Sequence, residues 1–215
     1  MLTVYSNAID WAATGSMIQG LGTLAGVVAV VWGALYGTRA WKEQKRAERR
    51  LEMAERILTA THKGRSALAN IRSVMIWGHE LTAAEEKLKE DNQWQTLTVS
   101  RRERLSKAQA FYNRINRTRD EQIALDDCLP MARALFNEEL EQALEQLRHQ
   151  FWVVQVTVDS YIDDENGTDT EFTKEIRRAM YDVKPRAGET SKVSDAIAEA
   201  VKTIETICIP ALRLE

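Results

Sequence analysis

The chain has 215 residues, 44% of them hydrophobic and 28% charged, with a net charge of −3, three prolines and two cysteines. Two cysteines exclude a disulfide framework, and three prolines leave long stretches free to be helical. The small negative charge does not weigh against a membrane, because only Lys and Arg close to a span set its orientation.

The first element dominates the reading. From Trp11 to Thr38 no side chain is charged, and between Met17 and Tyr36 only Gln19 is strongly polar. Twenty such residues, at about 1.5 Å each, cover the roughly 30 Å hydrocarbon layer of a bilayer. A transmembrane helix is expected over residues 15–38, preceded by a short extracytoplasmic N-terminus, 1–14. Arg39, Lys42, Lys45, Arg46, Arg49 and Arg50 follow at once, whereas the other flank offers only Asp10. Positive charge is retained inside, so the N-terminus faces out and everything after the span lies in the cytoplasm. A cleaved signal peptide has the opposite charge order, so the span reads as a retained anchor. Trp11, Tyr36 and Trp41 are expected at headgroup level, and the six cations against anionic inner-leaflet lipid, each worth about 1 kcal/mol near the surface.

Small residues are patterned within the span. Gly15, Gly22 and Ala29 lie seven apart, Gly26 and Gly33 form an interleaved row, and Gly22 to Gly26 is a GxxxG. Close backbone approach drives association in lipid, so the spans are expected to pair with one another or with a partner span.

A juxtamembrane helix is expected over residues 39–78, since Ala, Glu, Lys, Arg and Leu dominate it. A seven-residue series, Ala40, Ala47, Ala54, Thr61, Leu68 and Met75, runs along one face. Its companion row meets Arg65 and Arg72, which favours packing against its own domain over a long coiled coil. Residues 79–215 read as one cytoplasmic helical bundle packed with this helix. A helix from Val99 to Asp127 carries the stripe Leu105, Ala108, Tyr112 and Ile115, with Arg101, Arg102, Arg104, Lys107, Arg114, Arg117 and Arg119 on faces expected to be solvated. Pro130 opens the next element. Asn137 caps a long helix whose core face is Leu140, Leu144, Leu147, Phe151, Val154 and Val158. Asp163–Gly167 is a loop, and Asp169 or Thr170 caps a helix with the stripe Phe172, Ile176, Met180 and Val183, ended by Pro185 and Gly188. The last helix, from Ser191, presents Val193, Ile197, Val201, Ile204 and Ile207, and a break is expected near Pro210. The fold class is therefore all-α: one N-terminal transmembrane helix continuing into a cytoplasmic antiparallel bundle.

Motifs for chemistry are absent. His62, His79 and His149 lack metal-ligand spacing, and neither Cys128 nor Cys208 belongs to a CxxC. Both cysteines are expected to pack as small apolar groups, each beside a bend at Pro130 or Pro210. Asp163, Asp164, Glu165 and Asp169 miss the calcium-loop pattern by one position at Gly167 and read as a solvated turn. Asn116 and Asn166 are glycosylation sequons in form only, given a cytoplasmic location. There is no Walker loop, GxSxG, GxGxxG, kinase or nuclease signature. No catalytic, cofactor or metal residue is expected. Nor is a nucleic-acid partner, because the basic Val99 helix is interleaved with Glu103, Asp120 and Glu121.

The stretches Thr38–Leu58, Met131–Phe136 and Ile204–Pro210 resemble a group of small bacterial single-span membrane proteins with a C-terminal cytoplasmic helical domain. The resemblance implies bacterial origin and the same anchored layout, at the bacterial inner membrane, and it brings no activity with it. Two functional expectations follow. One is a scaffold that binds a cytoplasmic protein partner at the inner face of the membrane, not an enzyme. The other is an oligomerising membrane effector whose spans perturb the bilayer when the bundle senses a signal.

Overall fold

The caps read from the sequence set where helices begin. In the computed structural model, Asn137 Oδ1 accepts from the Leu140 amide at 2.9 Å, and Asp169 Oδ1 accepts from Glu171 and Phe172 at 3.0 and 3.1 Å. Each satisfies amide donors that a helix start leaves without intrahelical partners. The structure describes residues 11–164, 167–183 and 191–213, with backbone alone at 11–29, 35 and 40.

The described residues form α1 (Trp11–Ile71), α2 (Gly78–Leu88), a 3-10 turn (Trp94–Thr96), α3 (Val99–Arg117), α4 (Arg119–Asp126), α5 (Leu129–Leu135), α6 (Glu138–Asp163), α7 (Thr170–Met180) and α8 (Lys192–Arg213), with no strand among them. The all-α expectation holds. Two compact units divide between Arg49 and Arg50.

In the first unit α1 is regular helix, and its described apolar side chains are open: Val30, Val31, Trp32 and Tyr36 are exposed, Trp32 at 70% and Tyr36 at 71%. No helix among the described residues is long and apolar enough to cross a membrane. The span expected over 15–38 falls largely on 11–29, whose side chains lie outside the described residues, as do those of Trp11 and Ala29 and the surroundings of Gly15, Gly22 and Gly26. Residues 1–10 of the expected extracytoplasmic segment are also outside them.

In the second unit α6 is the central helix, touching α3, α4, α5, α7 and α8. Its expected core face is buried throughout, and the expected stripe of α8 packs against it. Ala54, Ile57, Ala60, Ala67, Leu68 and Ile71 of α1 join the same core, which bears out sideways packing.

Four local expectations are corrected. The helix expected to reach 78 stops at Ile71, and Met75 is exposed. The Val99 helix is two helices, because the Thr118 hydroxyl donates to the Ile115 carbonyl at 2.8 Å and competes with the backbone ladder. Its core face includes Phe111, and Arg114 is buried rather than solvated. Pro210 does not end α8, which continues to Arg213: proline fixes φ near the helical value, and it stands in the last turn, where its missing donor and its crowding of the Thr206 carbonyl affect little of the helix. Finally, Phe172 and Val183 are exposed, leaving Ile176 and Met180 as the buried stripe of α7.

Candidate functional site

Arg39, Lys42, Arg46 and Arg49 recur at spacings of three, four and three along α1, so they share one helix face. All four are exposed and none forms an ion pair among the described residues. Lys45 differs: its Nζ lies 2.6 Å from Glu48, a carboxylate that also accepts from Gln44 and is held below the usual carboxylate range by that lysine. Trp41, 59% exposed, stands at the flank, and with Lys42, Lys45, Arg46 and Arg49 it lines an open groove of about 490 Å³. Arg50, expected with this group, instead lies over the Phe136 ring, 5.1 Å from its centroid. Tyr36 is exposed near the basic turn, and an added Cβ at Gly33 or Gly37 would meet nothing within 4 Å.

In the bundle the polar groups are structural. Arg114 and Glu80 are buried and doubly bonded, Nε to Oε1 at 3.0 Å and Nη2 to Oε2 at 2.7 Å. Arg114 also donates to the carbonyls of Ile71, Ser73 and Met75, closing the C-terminal end of α1 and the link after it. Glu80 accepts in addition from the Trp77 amide at 3.0 Å, at the start of α2. The Arg114 guanidinium lowers the Glu80 carboxyl from its ordinary value to about 2. Arg72, only 2% exposed, donates to the carbonyls of Arg178, Ala179 and Tyr181 at the end of α7 and to the hydroxyls of Ser191 and Ser194. Burial pushes its pKa down, opposed by Asp182 at 3.7 Å. Arg101 and Arg104 reach the carbonyls of Tyr161, Ile162 and Asp164 at the end of α6. Three arginine sites thus serve helix C-termini, where carbonyls lack partners and the dipole is negative. Sequence reasoning missed Arg72, Glu80 and Arg114 as an interior network. The one available signal was Arg72 interrupting an apolar row.

One cleft of about 320 Å³ opens between α6, α7 and α8, with Val153, Ile176, Ala179 and Val193 in its walls and Phe172, Glu175 and Lys192 among its lining. Glu175 and Lys192 pair at 3.2 Å, and both are exposed. Elsewhere on α6, Trp152 is 58% exposed and stacks on His149 at 5.1 Å.

The remaining motifs resolve plainly. Cys128 and Cys208 are free, fully buried members of the core; burial raises both thiols, Cys208 to about 12. Among the described residues no cluster of His, Cys, Asp or Glu could hold a metal ion. His62 lies 3.6 Å from Glu205, tying α1 to α8. Asp164 accepts from the Thr173 hydroxyl at 2.6 Å, while Glu165 and Asn166 lie outside the described residues. Tyr112 donates to Asp159; burial, then this contact, raises the phenol above its usual range.

Compared with known protein families, curated proteins and solved structures, the chain finds no match.

Proposed function

We propose that this chain is a single-pass, membrane-anchored helical interaction module of the bacterial inner membrane, with its N-terminus outside and its bundle in the cytoplasm, where it holds a protein partner at the membrane face. The observation that carries the reading is the exposed apolar girdle of Val30, Val31, Trp32 and Tyr36, part of a run of 28 uncharged residues that a one-sided basic stripe follows. An apolar surface with no partner among the described residues needs an apolar cover, and lipid is the cover that fits a helix bordered by Lys and Arg on one side. The open flank at Gly33 supports self-association of the spans. In the bundle, the exposed Trp152 of α6 and the α6–α7–α8 cleft with Phe172 in its lining are the surfaces most suited to a partner's apolar side chains. The resemblance to small bacterial anchored proteins is in keeping with this layout.

The test is membrane fractionation with an alkaline carbonate wash, together with a C-terminal reporter active only in the cytoplasm. Retention in the washed membrane with an active reporter is expected. Release into the supernatant, or a reporter active only in the periplasm, overturns the reading. Membrane potential should stay constant on induction, and depolarisation would favour the effector instead.

A further inference from the structure

The uncharged run Trp11–Thr38 makes a helix of about 42 Å, of which the apolar part, Met17–Tyr36, matches the hydrocarbon layer of about 30 Å. Spans tilt by about 20° on average, and a tilted helix has an underside. On α1 the cations are one-sided: Arg39, Lys42, Arg46 and Arg49 form a single stripe about 15 Å long. Of the nearby carboxylates, Glu48 lies on the opposite face and is engaged by Lys45, while Glu43 borders the stripe beside Arg39 and Arg46.

We infer that this stripe is a binding site for an anionic lipid headgroup, and that it sets the direction in which the anchor leans. The inference rests on the membrane reading above. Four unpaired cations offer more charge than one phosphate monoester neutralises, so the site suits a headgroup with two phosphates joined by a short linker. Arg46 and Arg49 contribute planar forks that take phosphate oxygens in pairs; Lys42 acts as a point charge between them and Arg39. Trp41, on the flank of the same groove, sits where an indole meets the headgroup layer. On an upright helix Arg49 would stand about 16 Å beyond Thr38, outside the headgroups, and leaning toward the stripe brings it within reach. Arg50 lies over Phe136 and is outside the site, while Lys45 lines the groove with its charge shared with Glu48.

The test uses the full chain in detergent, titrated with a diphosphate lipid of the cardiolipin type. Native mass spectrometry counts the lipids retained. Lys42→Gln, Arg46→Gln and Arg49→Gln together should weaken retention on the order of a hundredfold, from about 1 kcal/mol per cation. The same charge change at exposed Lys63, Arg65 and Lys107 should leave it unchanged. Inorganic pyrophosphate should displace the lipid only at large excess. Equal retention by both triple variants overturns the inference, as does displacement by stoichiometric pyrophosphate or preferential binding of a DNA duplex. Carbonate extraction is scored in parallel. If the unsubstituted chain is washed off the membrane, the anchor reading fails; if it stays and the stripe variants still hold lipid, only this inference does.

Discussion

Replacing Glu80 by Gln tests the interior network at its most consequential point. The substitution keeps the shape of the side chain and one oxygen acceptor for Arg114 while removing the charge that two short bonds and burial have made costly to lose. Breaking one partner of a buried pair costs about 3–5 kcal/mol, because the other charge is left without compensation. An independent figure comes from titration. Arg114 lowers the Glu80 carboxyl from 4.5 to about 2, which corresponds to about 3 kcal/mol of stability. Arg114 keeps its three carbonyl acceptors, so the lower figure is the better one. Out of a total stability of about 5–15 kcal/mol the effect is large, and it should lower Tm by about 6–12 °C. Urea unfolding followed by tryptophan fluorescence measures it. The sign is fixed by the depressed carboxyl: its contribution is present above the unfolded value and is lost as pH falls through about 2. The difference between the two proteins should therefore shrink steadily between about pH 4.5 and 2. A neutral-pH difference below about 0.5 kcal/mol, or one that persists unchanged at pH 2, refutes the account.

Four further outcomes are expected. Cys128 and Cys208, buried with raised thiol pKa values, should resist a thiol reagent at pH 8 in the folded protein and react fully in denaturant. Gly64→Val should destabilise the bundle by about 1–3 kcal/mol, because an added Cβ alone would come within 2.9 Å of Leu125 Cδ1; Leu125→Ala in the same chain should relieve part of that loss. Asn137→Ala should cost about 1 kcal/mol in urea unfolding, the worth of its cap on α6. Arg72→Lys, conservative by charge, should speed amide exchange at the end of α7 and around Ser191, since an ammonium cannot reproduce a fork that meets three carbonyls and two hydroxyls.

Periodicity made the two best-packed helices legible. α6 and α8 have core stripes of Leu, Val, Ile and Phe at spacings of three and four, with Gln150 and Thr157 the polar residues buried beside the stripe of α6. The cap at Asn137 was equally readable, since an Asn just before an acidic first turn has few other roles. α3 departs from its periodic pattern because one of its arginines is a core residue. Arg114 faces inward only because Glu80, far away in sequence, faces it, and no periodic signal records that pairing. The end of α1 was hidden for a related reason. The residues around 71–75 are all compatible with helix, and the turn is imposed by Arg114 holding their carbonyls from another element. The one-sidedness of the basic stripe on α1 is legible in its spacing, whereas the contacts of Lys45 with Glu48 and of Arg50 with Phe136 are not.

The arginine sites share a physical origin. A helix C-terminus commonly closes with a glycine in the left-handed region, which lets the chain satisfy its own last carbonyls. Among the described glycines only Gly167 has a positive φ, at 55°. Glycine is concentrated instead in the N-terminal segment, where Gly15, Gly20, Gly22, Gly26, Gly33 and Gly37 leave four for the rest of the chain. The carbonyls at the ends of α1, α6 and α7 are satisfied from a distance, by Arg114, by Arg101 with Arg104, and by Arg72. A cap drawn from the same stretch of chain stabilises one helix, whereas a cap drawn from another helix ties two together. The bundle consequently gains at its helix ends the same long-range coupling that its apolar core supplies along its length.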